Sequence, residues 1–183
     1  MPVTPYLTSE LLALLRARSV RDNPYAIDVS ACSMFSEAAP LIGEIIYEHT
    51  EALGVAAIGG QGDNAIPLVT AAIISYALRE KTMEGFWVRG ESRKTTRIAG
   101  NLKPASRVVI VEDICISGYS ALNAVQTVQD VGCQVALVLA LIDCSKGAAE
   151  RFRSEGIEYR AIYRLREDDE GVWSGDFTGG PIS

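Results

Sequence analysis

The feature that most constrains this chain is a continuous apolar run that ends in two acids and a loop of small residues. Residues 108–111 are four β-forming apolar residues, Glu112 and Asp113 follow directly, and residues 117–120 form a Gly/Ser-containing loop. An apolar run of this kind is typical of a strand buried on both faces of a parallel sheet. Open α/β sheets bind ligands at the carboxyl ends of such strands, so the acids and the loop are expected at a binding edge.

The residue types at this edge favour a phosphorylated sugar as the ligand. Small residues let backbone N–H groups approach an anion, and the helix predicted at residues 121–131 directs its positive dipole end to the same place. Glu112 and Asp113 can hold hydroxyl groups or a Mg²⁺ ion. The alternative interpretation of these acids is a solvated strand end. Their position between a buried strand and a Gly/Ser loop favours the functional interpretation.

Composition excludes several other classes of protein. The chain has 183 residues, of which 48% are hydrophobic, and this predicts one globular domain over residues 1–183. Its net charge of −6 argues against general nucleic-acid binding, and no apolar run approaches the roughly 20 residues of a membrane span. The first ten residues do not resemble a signal peptide, so we expect a cytoplasmic protein with reduced thiols. The single histidine, His49, argues against zinc and Ser-His-Asp chemistry.

Helical and strand-like segments alternate along the chain, which predicts a parallel twisted sheet flanked by helices, an α/β fold. Thr8 or Ser9 is expected to cap the first helix. Residues 59–64 are interpreted as a Gly-rich turn and residues 89–106 as a long loop. The tail, residues 167–183, is acidic and then Gly-rich, and we predict that it is loosely ordered. The predicted strands that follow the first helix cover residues 25–29, 55–58, 86–88, 108–111, 134–142 and 158–165.

The segment from residue 108 to residue 120 resembles the 5-phosphoribosyl-1-pyrophosphate (PRPP) binding motif of type I phosphoribosyltransferases. The order of the other segments most resembles the orotate phosphoribosyltransferase branch, over roughly residues 11–165. The resemblance implies transfer of 5-phosphoribosyl from PRPP to a nucleobase or similar ring nitrogen, with release of pyrophosphate. It also implies Mg²⁺ as the cofactor, a place in pyrimidine biosynthesis and a homodimer.

The same resemblance assigns roles to individual residues. Glu112 and Asp113 would hold the ribose hydroxyls and the Mg²⁺ ion, and the loop after them would hold the 5-phosphate. The family usually has Thr where Ile116 stands, and the orotate branch often has Lys where Asn64 stands in the pyrophosphate loop. The residues assigned to PRPP are Arg89, Glu112, Asp113, Ser117, Gly118, Tyr119, Ser120, Gly60 and Gln61.

A basic segment precedes the PRPP motif, which is a local reversal of sign in an acidic chain. A charge run is usually a solvated face. In the family, however, a loop at this position closes over PRPP, often at the neighbouring subunit. Arg89 matches the start of the family pattern, and Arg93 and Lys94 are the nearest substitutes for its catalytic lysine and histidine. We therefore predict that Asp113, Arg93 and Lys94 are catalytic and that the loop acts across a dimer.

The base-binding wall departs from the orotate branch. That branch has Asp-Arg after the PRPP helix and its strand, whereas Asp143 is followed here by Cys144. We assign Asp143 and Cys144 to base binding and predict that orotate is a poor substrate. Residues 1–30 are interpreted as a reduced N-terminal hood over the base. Two alternatives remain open at this point: a degenerate regulatory protein that binds PRPP or a nucleotide, and a transferase with an unusual acceptor.

Overall fold

The structure is a computed structural model that describes residues 4–18, 20–23, 26–90, 97–167 and 173–175. Within these residues, no helix is both long enough and apolar enough to span a bilayer. The helices are α1 (Pro5–Arg18), α2 (Ser30–Ser33), α3 (Ala38–Thr50), α4 (Ala65–Ala77), α5 (Tyr119–Gln129) and α6 (Ala148–Ser154). The strands are β1 (Val20–Asn23), β2 (Ala26–Asp28), β3 (Ala57–Gln61), β4 (Glu84–Val88), β5 (Ile98–Gly100), β6 (Arg107–Cys115), β7 (Gln134–Asp143), β8 (Tyr159–Glu167) and β9 (Trp173–Gly175).

The main sheet of the described residues has seven strands in the order β5-β4-β3-β6-β7-β8-β9. Its five central strands pair in parallel, while β5 and β9 pair antiparallel at the two edges. Strands β1 and β2 form a separate antiparallel hairpin. The prediction of a parallel sheet flanked by helices is confirmed. Strand β6 lies at the centre of the sheet, which places its carboxyl end in the middle of the ligand-binding edge.

Alternate residues of β6 serve two different hydrophobic cores. Val109 and Val111 pack in the core that α1, α3 and α4 form on one face of the sheet. Val108 and Ile110 pack in the core that α5 and α6 form on the other face. Burying each such side chain contributes about 1.5–3 kcal/mol, so both faces fix the register of the strand. We call these two sides the α4 face and the α5 face.

Three expectations about local structure are wrong. Thr8 and Ser9 do not cap α1, because the helix begins at Pro5 and both hydroxyls donate hydrogen bonds to the Pro5 carbonyl. Residues 59–61 belong to β3 rather than to a turn, since they continue the parallel pairing with β4. Residues 89–106 are not simply a loop, because β5 lies within them and pairs with β4.

The chain after residue 167 lies partly outside the described residues. Within it, Trp173–Gly175 forms β9 against the end of β8. A strand at the edge of a twisted sheet needs few side-chain signals, because the neighbouring strand supplies the hydrogen bonds. The loosely ordered character of the rest of the tail, like the single-domain boundary, stays a prediction.

Candidate active site

Strand β6 carries both acids inside the strand, because it continues to Cys115 rather than ending at residue 111. Side chains alternate along a strand, so Glu112 and Asp113 point to opposite faces of the sheet. Glu112 lies on the α5 face, where Ser120 Oγ donates to Glu112 Oε1 at 3.4 Å. Its side chain is buried, with 4% of its surface exposed. Burial first, and the charge of Asp113 second, raise the pKa of Glu112 to about 8.

Asp113 lies on the α4 face, in a different environment. Its Oδ1 accepts the Ile114 N–H at 2.8 Å, and the Asn64 side chain at the start of α4 donates a second hydrogen bond. Burial raises the pKa of the Asp113 carboxyl, these hydrogen bonds lower it, and the charge of Asp28 raises it further. Asp28 ends β2, so the N-terminal hairpin reaches the site through this residue.

Either carboxylate could supply an oxygen ligand to a Mg²⁺ ion that arrives with a phosphorylated substrate. Among the described residues, no three potential His, Cys, Asp or Glu ligands come together, so a cage made of protein alone is absent there. Magnesium in phosphate sites is commonly held by one or two carboxylates, with phosphate and water as the other ligands. A cation would also relieve the electrostatic penalty that raises the pKa of Glu112.

The loop after β6 presents backbone N–H groups at the start of α5. Gly118 is the N-cap residue, has φ +81°, and makes no side-chain cap hydrogen bond. The first helical hydrogen bond runs from the Leu122 N–H to the Gly118 carbonyl at 2.9 Å. The N–H groups that precede it, on Tyr119, Ser120 and Ala121, are therefore the helix-terminal donors that an anion can use.

Arg151 of α6 contacts this loop and was missed from the sequence. Its Nε donates to the Ser117 carbonyl at 2.6 Å, and its guanidinium carbon lies 3.6 Å from the centre of the Tyr119 ring. Tyr119 is otherwise 65% exposed. No local motif marks Arg151, because 31 residues separate it from Ser120 and only the fold brings α6 to the loop.

A second set of polar contacts joins the end of β3 to the basic segment. Asn123 Nδ2 donates to Gln61 Oε1 at 2.9 Å, and Arg97 Nη2 donates to Asn123 Oδ1 at 2.8 Å. Asn123 is one helical turn after Ser120 on α5. The contacts therefore lie beside the Glu112 carboxylate on the α5 face. Gln61 was predicted and Arg97 belongs to the predicted basic segment, whereas no sequence pattern identified Asn123.

Gly60 lies within β3, where it allows a close approach between elements. A Cβ there would fall well inside contact distance of the Val111 carbonyl oxygen and the Ala65 side chain. The residue therefore lets β3 and α4 lie against β6 just before the two acids. Its proposed contact with PRPP stays a prediction.

The predicted residues of the basic segment are only partly described. Arg89 directly follows β4. Its N–H donates to the Arg97 carbonyl at 2.7 Å, and its guanidinium carbon lies 5.8 Å from the Trp87 ring centre. Arg93 and Lys94 lie outside the described residues. Arg89 and Arg97 thus lie opposite each other where β4 and β5 pair, and the two predicted catalytic cations come between them in the sequence.

Asp143 and Cys144 stand at the carboxyl end of β7, beside β6. Asp143 is 2% exposed, and its Oδ1 accepts the Ser145 N–H at 2.8 Å. Burial raises the pKa of this carboxyl. The Cys144 N–H donates to the Cys115 carbonyl at 2.9 Å, which joins the two strand ends. The Asp143 carboxyl therefore stabilises the turn that follows β7, and the more exposed Cys144 lies closer to the ligand-binding edge of the sheet.

The chain is similar in sequence to known proteins. No family model matches the chain. It is 30% identical to the orotate phosphoribosyltransferase of Bradyrhizobium sp. (strain ORS 278) over 176 residues, which cover 87% of this chain and 95% of that protein. It is 35% identical to the orotate phosphoribosyltransferase of Rhodopirellula baltica over 153 residues, 78% of this chain and 79% of that protein.

A solved structure shows the same fold with a ligand. The Mycobacterium tuberculosis orotate phosphoribosyltransferase in complex with PRPP superposes with a TM-score of 0.78 and 33% identity, covering 88% of this chain and 91% of that one. The similarity therefore spans the fold and nearly the full length of the relatives. The chain belongs to the orotate phosphoribosyltransferase family, and is an enzyme of the phosphoribosyltransferase class with the type I fold.

Proposed function

We propose that this enzyme binds Mg²⁺ and PRPP and transfers the 5-phosphoribosyl group to a ring nitrogen of a nucleobase-like acceptor, releasing pyrophosphate. The observation that carries the proposal is the carboxyl end of β6. A buried acid, Glu112, and a partly buried acid, Asp113, stand there beside a loop whose backbone donors suit a phosphate. The PRPP complex of the M. tuberculosis relative supports this choice of substrate.

The reaction needs charge stabilisation more than proton transfer. As the bond between the ribosyl carbon and pyrophosphate breaks, the sugar gains positive charge and the leaving group carries negative charge. In the proposal, Glu112 and Asp113 hold the ribose hydroxyls, and a carboxylate that is ionised at this place favours the cationic sugar. The α5 loop fixes the 5-phosphate, so that the sugar keeps its position while the ring nitrogen approaches. Mg²⁺, when bound, would neutralise charge on the pyrophosphate.

Pyrophosphate release from PRPP tests the activity directly. We expect release that requires an acceptor base, and titration calorimetry should show Mg²⁺-dependent PRPP binding. Folded protein that binds no PRPP at millimolar concentration would refute the proposal. Binding without turnover across a panel of pyrimidines and purines would instead favour the regulatory alternative, to which the enzyme names of the relatives give no support.

We propose that this enzyme holds the ring of its acceptor differently from the way the orotate branch holds orotate. Cys144 replaces the arginine that the orotate branch places after the aspartate, so no guanidinium grips a ring carboxylate from this position. Losing such a charge-assisted partner costs a few kcal/mol of binding. Orotate should therefore react more slowly than a neutral ring, and Cys144→Arg should raise kcat/KM for orotate by about 10-fold or more. Orotate turnover at ordinary rates by the parent enzyme would contradict this choice of acceptor.

A homodimer with a shared site is also part of the proposal. Asn64 leaves the pyrophosphate end without the lysine of the orotate branch, and the connection between β4 and β5 carries two cations, Arg93 and Lys94, that we propose take its place. If that connection acts on the partner's site, mixing an Asp113→Asn chain with an Arg93→Ala, Lys94→Ala chain restores one complete site per heterodimer. Activity above either parent variant is expected. A monomer in light scattering, or a mixture no more active than its parts, would contradict it.

A further inference from the structure

We propose that Arg151 is a positioning residue for the 5-phosphate of the substrate. This inference rests on the proposed function and adds a residue from α6 to the phosphate site. The side-chain hydroxyls of the loop are those of Ser117, Tyr119 and Ser120, and none of them carries a positive charge. Ile116 carries no hydroxyl, and the Ser120 hydroxyl is already directed at Glu112. A cation held beside the loop would supply what these side chains do not.

The contacts of Arg151 fix both its position and its orientation. The Nε hydrogen bond to the Ser117 carbonyl is short, at 2.6 Å, and the guanidinium stacks on Tyr119 with its carbon 3.6 Å from the ring centre. No carboxylate of the described residues forms an ion pair with this guanidinium. Its charge is thus not neutralised by a described partner, and its remaining N–H donors stay near the loop.

The hydrogen bond to Ser117 also controls a donor of the loop. In a trans peptide, the carbonyl of one residue and the N–H of the next point in opposite directions. Because Arg151 holds the Ser117 carbonyl towards α6, the Gly118 N–H must point away from α6, into the loop. Gly118 has φ +81°, and successive N–H groups around such a left-handed residue form a concave anion site.

Arg151 belongs to the 5-phosphate end of the site and not to the pyrophosphate end. It lies on α6, which contacts β8, while the pyrophosphate end lies at the start of α4, beyond β6 in the order of the sheet. Loss of Arg151 should therefore weaken one phosphate of PRPP selectively. A residue with only a general structural role would affect both ends or neither.

The test measures ribose 5-phosphate and pyrophosphate as separate ligands by titration calorimetry. Arg151→Ala should weaken ribose 5-phosphate binding by about 10- to 100-fold and leave pyrophosphate binding within about twofold of the parent. Arg151→Lys keeps the positive charge but cannot make both the Nε hydrogen bond to Ser117 and the stacking on Tyr119, so an intermediate loss of ribose 5-phosphate affinity is expected. Arg153→Ala is the matched control, because it removes an exposed arginine from the same helix. In turnover assays, Arg151→Ala should raise KM for PRPP more than it lowers kcat.

The outcomes separate this inference from the function on which it rests. A parent enzyme that binds neither ribose 5-phosphate nor PRPP would refute the proposed function itself. Parent-like ribose 5-phosphate binding by Arg151→Ala would overturn the role of Arg151 alone. An equal loss for both ligands, in Arg151→Ala or in Arg151→Lys if the alanine variant does not fold, would make Arg151 a structural residue and also overturn the role.

Discussion

The two neighbouring acids of β6, Glu112 and Asp113, lie on different faces of the sheet and have different surroundings. On the α5 face, Glu112 lies near Ser120, and Arg97 and Arg151 both contact groups on or beside α5. On the α4 face, Asp113 is influenced by Asn64 and by the negative charge of Asp28, with no arginine or lysine of the described residues among its influences. The described basic side chains next to the site therefore lie on the α5 face, whereas the charged group described beside Asp113 on the α4 face is another acid, Asp28.

This difference predicts that Asp113 carries the largest single effect on activity. Asp113→Asn removes the charge with little change in shape, and nothing else described on that face replaces it. We expect kcat/KM for PRPP to fall by about 100- to 1000-fold, with the melting temperature unchanged or raised because partial burial and the charge of Asp28 disfavour the charged carboxyl in the folded protein. Steady-state pyrophosphate release measures the loss, and Asp130→Asn at the exposed end of α5 is the control. A variant with parent-like turnover would make the α4-face acid structural.

The positions of both acids also depend on how closely β3 approaches β6. Gly60→Ala would press a methyl group against the Val111 carbonyl oxygen, just ahead of both acids. We expect it to lower the free energy of unfolding by about 2–3 kcal/mol and to reduce binding on both faces. Gly62→Ala is the matched control, since it has φ +72° with no atom within 4 Å of the added Cβ, and should cost about 1 kcal/mol. Urea denaturation of the two variants compares them. Equal losses would contradict the packing role of Gly60, because the close approach to Val111 would then cost no more than an unfavourable backbone conformation.

Removing the contacts of Asn123 should weaken binding at the pyrophosphate end of the site without affecting binding of the 5-phosphate. Arg97→Ala and Asn123→Ala should each weaken pyrophosphate binding by about 10-fold, because Asn123 holds both Arg97 and Gln61 in place. Residues in one network are not additive, so the double variant should lose less than the product of the two single losses. Titration calorimetry with pyrophosphate and with ribose 5-phosphate completes the cycle. Fully additive losses would show that Arg97 acts independently of Asn123.

The limits of the sequence follow from the same division between the faces. The β6 acids and the loop could be predicted because they are consecutive, and a local pattern is enough to identify a strand, a turn and a helix start. The basic segment with Arg97 could also be predicted, but its contact with Asn123 and the places of Asn123 and Arg151 could not, because each depends on elements that are distant in the chain. Likewise, the strand character of Gly60 depends on pairing with β4, which no local propensity of a glycine-rich segment shows.

The remaining prediction concerns a residue away from the site, His49 in α3 on the α4 face. Burial lowers the pKa of His49 to about 4, with a further contribution from Arg160 that Glu48 opposes, although its place in the last turn of α3 would favour a charged imidazole. The folded pKa is below the unfolded value of about 6.5, so the stability is present above pH 6.5 and is lost as the pH falls towards 4. The parent should lose about 1 kcal/mol at pH 6 and about 2 kcal/mol at pH 5 relative to His49→Gln, measured by urea denaturation. Because His49 makes no described contact with the α5 loop, ribose 5-phosphate affinity of the still-folded protein should be the same in parent and variant at each pH. A pH-dependent difference in that affinity would show that the two faces are coupled and that the division between them is incomplete.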